Sequence, residues 1–353
     1  MSKRRVTRYN DTIGPELSSG MLVLTIFIAA VIILCVYFVC NRDPDPYKDV
    51  PKDSDTAALT DTDEEGNVII IDTPDESSNM QETEEPEPDK ELFDVVSVST
   101  ADVARGYLIL VNNKTAYNFD IEEEIVGLYQ NEDKSATYGL ATVNISCAKS
   151  VLPYLNEMID AYYADTEDGY TVINSGYRTY EDQNDILVSR IESVGEEQAY
   201  AYVAIPGHSE HHTGYAFDLV SYGEKKDGNW LPNHCQEYGF IQRYRADKED
   251  ITGILYEYWH YRYVGIPHAE IMMNENYCME EYIILVGGYS YTEPFYYTVE
   301  SGETYAIYTV PASDGEKTEI PVPKDSEYTV SGNNVGGFIV TVELGENYTA
   351  ESD

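Results

Sequence analysis

The sequence predicts an α+β fold that follows a transmembrane helix and an acidic spacer and ends in a small all-β appendage. Three observations support this prediction. Strand-like and helix-like patterns mix irregularly over residues 95–284, without the βαβ rhythm of a parallel sheet. An uncharged apolar run lies near the N-terminus, after residues 1–20. Short β-rich runs separated by Gly, Pro, Asp and Ser fill residues 285–353.

Residues 21–40 form an apolar run without any charged side chain. A helix that rises about 1.5 Å per residue would span about 30 Å over this run, which matches a bilayer core. Basic residues precede the run and acidic residues follow it, so the N-terminus is expected in the cytoplasm and everything after residue 41 outside. A cleaved signal peptide is the alternative, but no A-x-A-like site follows the run.

Residues 41–94 are rich in Asp, Glu, Pro, Ser and Thr, and contain 19 acidic and four basic residues. Like charges and prolines keep such a segment extended. We therefore expect a disordered spacer that holds the folded part away from the membrane. An interaction tail is the alternative, but nothing in the composition favours it.

The charge of the whole chain excludes some partners. There are 64 Asp and Glu residues against 22 Lys and Arg, a formal net charge of −42. Binding to nucleic acid or anionic lipid through bulk electrostatics is therefore not expected, because phosphate contact needs clustered basic residues. The five cysteines include no CxxC pair, which argues against a disulfide scaffold and a thiolate zinc finger.

Local patterns predict the elements of the part between residues 95 and 284. Gly106–Val111 is expected to be a buried strand. Residues 145–164 place apolar side chains at helical spacing, and 180–192 predicts a second helix with Ile186 and Leu187 facing inward. Three further strands are predicted at Tyr170–Asn174, Ala216–Val220 and Tyr261–Val264.

The segment PGHSEHHTGYAFD contains Ser-x-His-x-x-Gly-x-Ala-x-Asp, in which His211 and Asp218 are candidate metal ligands. Their spacing across a glycine turn suits a loop followed by a strand better than one helix face. A second segment, Glu-x-x-His, supplies His260, and two imidazoles with one carboxylate leave zinc an open fourth position. Glu257, three residues before His260, is then placed to act as a general base. Each motif alone is weak, and their joint occurrence supports the prediction.

Several motifs follow one another in a fixed order between about residues 95 and 283: SGYR at 175–178, then Gln183, PGHSEHHTGYAFDL, WLPNHCQEYGFIQRY and KEDITGILYEYWHYRYVG. In this order they resemble the D-alanyl-D-alanine carboxypeptidases associated with vancomycin resistance. These are zinc peptidases that share a fold with lysostaphin-type enzymes and the hedgehog signalling domain. The resemblance implies this fold for the region and one zinc ion as its cofactor.

The resemblance also implies roles for individual residues. His211, Asp218 and His260 match the zinc ligands, and Glu257 matches the catalytic base. Tyr258 replaces the proline that is usual in Glu-Pro-Trp-His, which removes neither a ligand nor the base.

The residues that the family uses for its substrate are present as well. Arg178 and Ser209 match residues that bind the terminal carboxylate and the nearby backbone, and Gln183 matches another substrate contact. A guanidinium suits this role because it is a planar, bidentate partner for a carboxylate. His208 and His212 stand where small or amide residues are more usual, and His212 is a rival candidate ligand.

The sequence therefore predicts a zinc carboxypeptidase, anchored as a single-pass protein in a bacterial cell membrane, that removes the terminal D-alanine from peptidoglycan stem peptides. An L,D-carboxypeptidase acting on tetrapeptide stems and a dipeptidase acting on free D-Ala-D-Ala are alternatives on the same scaffold. A non-catalytic wall-binding module is a third alternative, which the intact ligand and base set disfavours.

Overall fold

The computed structural model describes residues 88, 90–120, 122–223 and 227–346, and two short strands at Asp61–Thr62 and Val68–Ile69. The two short strands pair antiparallel within a first unit, Met1–Glu84, and a second compact unit comprises Glu85–Asp353. The predicted transmembrane helix at 21–40 and most of the predicted spacer lie outside the described residues. Within the described ranges, no helix is long and apolar enough to cross a membrane.

The first part of the second unit contains strands β1 (Phe93–Ser99), β2 (Ile125–Gly127), β3 (Tyr138–Leu140) and β4 (Ser146–Ala148), helix α1 (Leu152–Thr166), strand β5 (Thr171–Ser175), helices α2 (Tyr180–Val194) and α3 (Glu196–Tyr200) and strand β6 (Ala216–Ser221). It continues with helix α4 (Trp230–His234), strand β7 (Phe240–Gln242), helix α5 (Glu249–Thr252), strand β8 (His260–Tyr263) and helices α6 (Ile266–Asn274) and α7 (Met279–Val286). The last strands are β9 (Phe295–Thr298), β10 (Glu303–Pro311), β11 (Lys317–Pro323), β12 (Tyr328–Gly332) and β13 (Gly337–Glu346).

A five-stranded sheet with the order β3-β5-β6-β8-β7 forms the centre of the site-bearing part. Only β3 and β5 are parallel in it, and the other pairs are antiparallel. The predicted helix at 145–164 is confirmed from Leu152 onward as α1, whereas Ser146–Ala148 forms β4 and a 3₁₀ turn follows it. The apolar stripe of α1 includes Leu155 and Ile159 and packs in one core with Phe217 of β6. A mixed sheet with irregularly placed helices confirms the predicted α+β class.

Residues 295–346 contain five strands and no helix, as the sequence predicts. Four of them form a sheet with the order β9-β10-β13-β12, and β11 pairs with β1. Ile307 of β10 and Ile339 of β13 share a hydrophobic core with Ile271 of α6 and Ile283 of α7. The domain boundary at residue 284 stays a prediction, and the strands that follow it are in close contact with the helices that precede it.

The predicted strand at Gly106–Val111 is wrong, although four of its side chains are buried as expected, those of Leu108, Ile109, Leu110 and Val111. Its backbone groups are satisfied one by one and not by a neighbouring strand. Leu110 N donates to Asn333 O, and the Arg262 guanidinium donates to the carbonyls within the segment. An apolar run is a signal of burial, and burial requires satisfied backbone groups but not a β-ladder.

The predicted inward direction of Ile186 is also wrong. Ile186 is 38% exposed, whereas Gln183 and Leu187 are the buried residues of α2. These two side chains are four residues apart and so share one helix face. The inward face of this helix thus includes a polar residue, Gln183, which is hydrogen-bonded to Arg178 and Ala204 O. The spacing of hydrophobic residues alone does not reveal this face.

Candidate active site

Strand pairing and one glycine turn bring the three candidate ligands together. His260 of β8 pairs directly with Asp218 of β6, and opposed residues project from the same face of a sheet. His260 Nδ1 consequently lies 3.2 Å from Asp218 Oδ1. His211 lies on the 3₁₀ turn before β6, which ends at Gly214 with a φ of 76°. A Cβ on Gly214 would collide with β4, so glycine permits the close turn that places His211 Nε2 3.3 Å from Asp218 Oδ1.

The donor atoms of this cluster fit one zinc ion. One ligand atom from each of His211, Asp218 and His260 lies within 4.8 Å of the others. The second nitrogen of each ring is already bonded: His211 Nδ1–H donates to Gly176 O at 2.7 Å, and His260 Nε2 lies 3.2 Å from Glu210 Oε2. The remaining nitrogen of each imidazole therefore faces Asp218 Oδ1. In metal sites, too, the ring nitrogen of a histidine ligand that does not bind the ion usually donates to a carboxylate or a backbone carbonyl.

The electrostatics of the cluster favour a bound cation. Burial and the nearby Arg178 charge lower the pKa of His211 to about 4. Burial also disfavours a charged His260, but hydrogen bonds to Asp218 and Glu210 outweigh it and raise the pKa of that ring to about 9. The carboxylates that stabilise a proton on His260 supply the negative charge that a divalent ion needs.

Glu257, the candidate base, lies just before β8 and beside the ligands. Its Oε2 is 3.8 Å from His260 Nδ1, and its backbone N–H donates to Tyr244 O. Burial raises the pKa of Glu257 to about 7, against the opposing charge of His260. A carboxyl group with a pKa near neutrality can both accept and release a proton at physiological pH.

Arg178 and Gln183, two of the predicted substrate contacts, adjoin the ligands. Arg178 Nη2 donates to Asp218 Oδ2 at 2.8 Å, Nε to Ser175 Oγ at 2.8 Å, and Nη1 to Gln183 Oε1 at 3.1 Å. Gln183 is itself fixed by donating to Ala204 O at 2.8 Å. Since a guanidinium has five N–H donors, two remain without an acceptor among the described residues.

Ser209 and the two unusual histidines belong to the same loop. Ser209 is buried, directly before the turn that carries His211, and its carbonyl accepts from His212 N. His212 donates from Nδ1 to Arg178 O at 2.8 Å and accepts at Nε2 from Gly207 N at 3.0 Å. Both its ring nitrogens are engaged, so His212 supports the loop and is not a rival ligand. His208 lies outside the cluster, with Nδ1 2.7 Å from Asn112 O.

A buried charge network that the motifs do not predict lies behind His260. Glu210 Oε1 accepts from Arg243 Nε and from Arg262 Nη1, each at 2.9 Å. Arg243 also donates to both carboxylate oxygens of Glu280, at 2.9 and 2.6 Å. Glu210, Arg243 and Arg262 are all buried. One signal in the sequence could have indicated this network: the runs FIQRY and HYRYV each contain a single arginine among apolar and aromatic residues. An arginine that is buried in such a run needs a charged partner, because arginines are seldom fully buried unless they are paired.

Comparison with known proteins identifies relatives of this chain. Residues 144–266 match the family model of VanY, D-alanyl-D-alanine carboxypeptidase. A D-alanyl-D-alanine carboxypeptidase of Enterococcus faecium is 34% identical over 259 residues, which cover 72% of this chain and 80% of the relative.

Two solved structures are also similar to this chain. The vancomycin resistance D,D-dipeptidase VanXYg, in complex with a D-Ala-D-Ala phosphinate analogue, is 31% identical with a TM-score of 0.63 and covers 71% of this chain and 99% of its own. A variant of the vancomycin resistance D,D-pentapeptidase VanY, in complex with Zn(II), is 32% identical with a TM-score of 0.44 and covers 50% of this chain and 98% of its own.

Proposed function

The chain belongs to the VanY family of D-alanyl-D-alanine carboxypeptidases, and on this basis we propose that it is a zinc-dependent hydrolase that removes the C-terminal D-alanine from peptidoglycan stem peptides. One observation supports the proposal above all: two imidazoles, a carboxylate, a second carboxyl group and a guanidinium converge in one buried cluster. Those groups belong to His211, His260, Asp218, Glu257 and Arg178.

His211, Asp218 and His260 would hold the ion. When bound, zinc lowers the pKa of water and polarises a carbonyl group. Asp218 also accepts from Arg178 at 2.8 Å, so the carboxylate that serves the ion is held in place by the proposed substrate-binding residue. This contact connects recognition of the substrate terminus with the geometry of the ligand set.

Glu257 moves the proton. With a pKa of about 7, its carboxylate accepts a proton from the attacking water and then delivers it to the nitrogen of the leaving D-alanine. Its carboxylate lies 3.8 Å from His260 Nδ1, close enough to the ligand cluster to reach a water bound there. Burial serves this task because a fully solvated glutamate would be a weaker base.

Arg178 recognises the free end of the peptide. Three hydrogen bonds fix its guanidinium, and its two remaining N–H groups can bind a terminal carboxylate. Gln183 acts mainly by holding Arg178, since its amide is bonded to Arg178 and to Ala204 O. Ser209, at the entrance of the ligand turn, is assigned to the neighbouring substrate backbone. Preference for a free carboxylate makes the enzyme an exopeptidase.

Product analysis tests this function. The full chain in detergent is incubated with a pentapeptide stem that ends in D-Ala-D-Ala, with the tetrapeptide stem, and with free D-Ala-D-Ala. We expect zinc-dependent loss of one alanine from the pentapeptide, detected by mass spectrometry, which a chelator abolishes and zinc restores. Preferential trimming of the tetrapeptide would replace the proposal with an L,D-carboxypeptidase, and preferential cleavage of the free dipeptide would replace it with a dipeptidase. Absence of hydrolysis together with zinc binding would favour a wall-binding module.

We also propose that residues 21–40 anchor the enzyme in a bacterial cell membrane, with the N-terminus in the cytoplasm and the catalytic part outside. The support is the uncharged apolar run, preceded by Lys3, Arg4, Arg5 and Arg8. The full chain should remain in the membrane fraction after an alkaline wash, and protease added to intact protoplasts should remove the catalytic part. A chain without residues 1–40 should be soluble, and recovery of the full chain in the soluble fraction would contradict the anchor.

A further inference from the structure

We propose that Glu210 is a positioning residue of the metal centre: its carboxylate determines which nitrogen of His260 carries the proton and so directs Nδ1 to the ligand position shared with His211 and Asp218. The inference rests on the proposed function, because it concerns the same ligand set. Glu210 is the neighbour of His211 in sequence, yet its side chain points to the other imidazole.

Both ring nitrogens of His260 face carboxylate oxygens, so a bound ion and Glu210 together decide its tautomer. A neutral imidazole has one N–H group and one lone pair, and an ionised carboxylate only accepts hydrogen bonds. With an ion at Nδ1, the single proton of the ring would lie on Nε2, 3.2 Å from Glu210 Oε2, which accepts it. Nδ1, which lies 3.2 Å from Asp218 Oδ1, then presents its lone pair to the ligand cluster.

Two arginines keep Glu210 in the required state and place. Arg243 Nε and Arg262 Nη1 each donate to Glu210 Oε1 at 2.9 Å, which leaves Oε2 for His260. All three side chains of this ion network are fully buried. A buried carboxylate is stable as an anion only when its charge is compensated, and the arginines meet that condition.

The network is fixed from distant parts of the chain. Arg243 is held by Glu280 of α7, and Arg262 Nη2 donates to Tyr107 O at 3.1 Å and Ile109 O at 2.9 Å. The segment around residues 106–111, predicted as a strand, therefore uses its carbonyl groups to orient an arginine. The irregular backbone of this segment leaves its carbonyl groups available to Arg262, whereas carbonyls engaged in a β-ladder would be less free to accept from it.

The test measures zinc affinity as well as activity. In the full-length enzyme in detergent, Glu210→Gln removes the anionic acceptor with little change in volume. We expect zinc affinity, measured by competition with a chelator, to fall by about 10-fold to 100-fold, as for other groups that support a metal ligand. At saturating zinc, kcat should recover partly while the affinity defect persists.

Glu270→Gln is the matched control. Glu270 is a buried glutamate of α6 that accepts hydrogen bonds from Tyr297 OH and Glu300 N and lies outside this network. Its replacement should change zinc affinity by less than about threefold. Equal losses of zinc affinity in both variants would mean that Glu210 only stabilises the fold, and would overturn the proposal.

A measurement on the unsubstituted chain covers the case in which Glu210→Gln does not fold. Histidine-selective ¹⁵N labelling reports which ring nitrogen is protonated in the zinc-loaded enzyme. We expect a proton on His260 Nε2 and on His211 Nδ1, in the two rings that remain after the other four histidines are assigned with His→Gln variants. A proton on His260 Nδ1 would overturn the proposal. If the unsubstituted chain binds no zinc, the failure lies with the proposed function and not with the role of Glu210.

Discussion

Two buried histidines in neighbouring elements, His260 in β8 and His268 in α6, have opposite surroundings. His260 faces the carboxylates of Asp218 and Glu210. His268 lies 2.5 Å from Tyr282 OH through Nδ1 and 2.9 Å from Thr341 Oγ1 through Nε2. Burial disfavours the charged form of both rings, but the carboxylates raise the pKa of His260 to about 9, whereas the pKa of His268 falls to about 3. The charge of the partners, rather than burial, distinguishes a candidate ligand from a structural histidine.

The surroundings also assign a structural task to His268. Its two partners lie on α7 and β13, so one ring joins two helices and a C-terminal strand. The contact between α6, α7 and β13, here called the seam, also contains the apolar side chains of Ile271, Ile283 and Ile339. A neutral imidazole between two hydroxyl groups satisfies three polar side chains where water is excluded.

Replacing each of the two histidines separately distinguishes a metal ligand from a structural residue, and this test has the largest expected effect. His260→Ala removes a ligand, and we expect loss of bound zinc and a fall in kcat/KM of at least about 10³-fold. His268→Gln should keep its zinc and change kcat/KM by less than about threefold, while its melting temperature falls because two buried hydroxyl groups lose a partner. Elemental analysis, peptide hydrolysis and thermal melts measure the three quantities.

If His268→Gln lost zinc as completely as His260→Ala, the contrast between the two sites would be incorrect. A melting temperature for His268→Gln equal to that of the unsubstituted chain would contradict the structural role instead. Both results are independent of the exact peptide substrate, because zinc content and stability are measured without it.

Within the cluster, Glu257 should affect chemistry without affecting metal content. Glu257→Gln keeps the size of the side chain but removes the base, so kcat should fall by about 10²-fold to 10⁴-fold with KM little changed. Zinc content should equal that of the unsubstituted enzyme. Loss of zinc in this variant would make Glu257 a ligand, and unchanged kcat would exclude it as the base.

The ligands and Glu210 differ in how well the sequence predicts their contacts. The joint occurrence of the two motifs predicted that His211, Asp218 and His260 meet, and local pattern predicted the strand that carries Asp218 and a strand that begins one residue after His260. The partners of Glu210 were not predictable, because Arg243 and Arg262 lie far from it along the chain and reach it only through tertiary contacts, among them the pairing of β8 with β7, which ends one residue before Arg243. The periodicity of apolar residues indicates which side chains are buried and which face of an element they share, but the polar partner of a buried side chain depends on tertiary structure.

The arginines show the same contrast as the histidines, with a smaller effect. Arg178 has two donors left for substrate, whereas Arg262 uses its donors on Glu210 and backbone carbonyls. Arg178→Lys loses the bidentate geometry, and we expect KM for the pentapeptide to rise about 10-fold to 100-fold. Arg245→Lys, at a surface arginine bonded to Asn276 O, is the control and should leave KM unchanged. A KM for Arg178→Lys within twofold of the original would argue against carboxylate binding.

The smallest effect is the pH dependence of stability that His268 contributes. Its pKa in the folded chain, about 3, lies below the ordinary value of 6.5, so the unfolded chain binds the proton more readily. The stabilisation is complete above pH 6.5 and is lost as the pH falls towards 3, by up to about 1.4 kcal/mol per pH unit. Denaturant unfolding at pH 7 and pH 5 should show a larger loss for the unsubstituted chain than for His268→Gln, which has no group to protonate. Equal losses of unfolding free energy in the two chains would mean that His268 accepts a proton without leaving its place between Tyr282 and Thr341. His268 would then tolerate a positive charge as His260 does, although its partners are hydroxyl groups and not carboxylates.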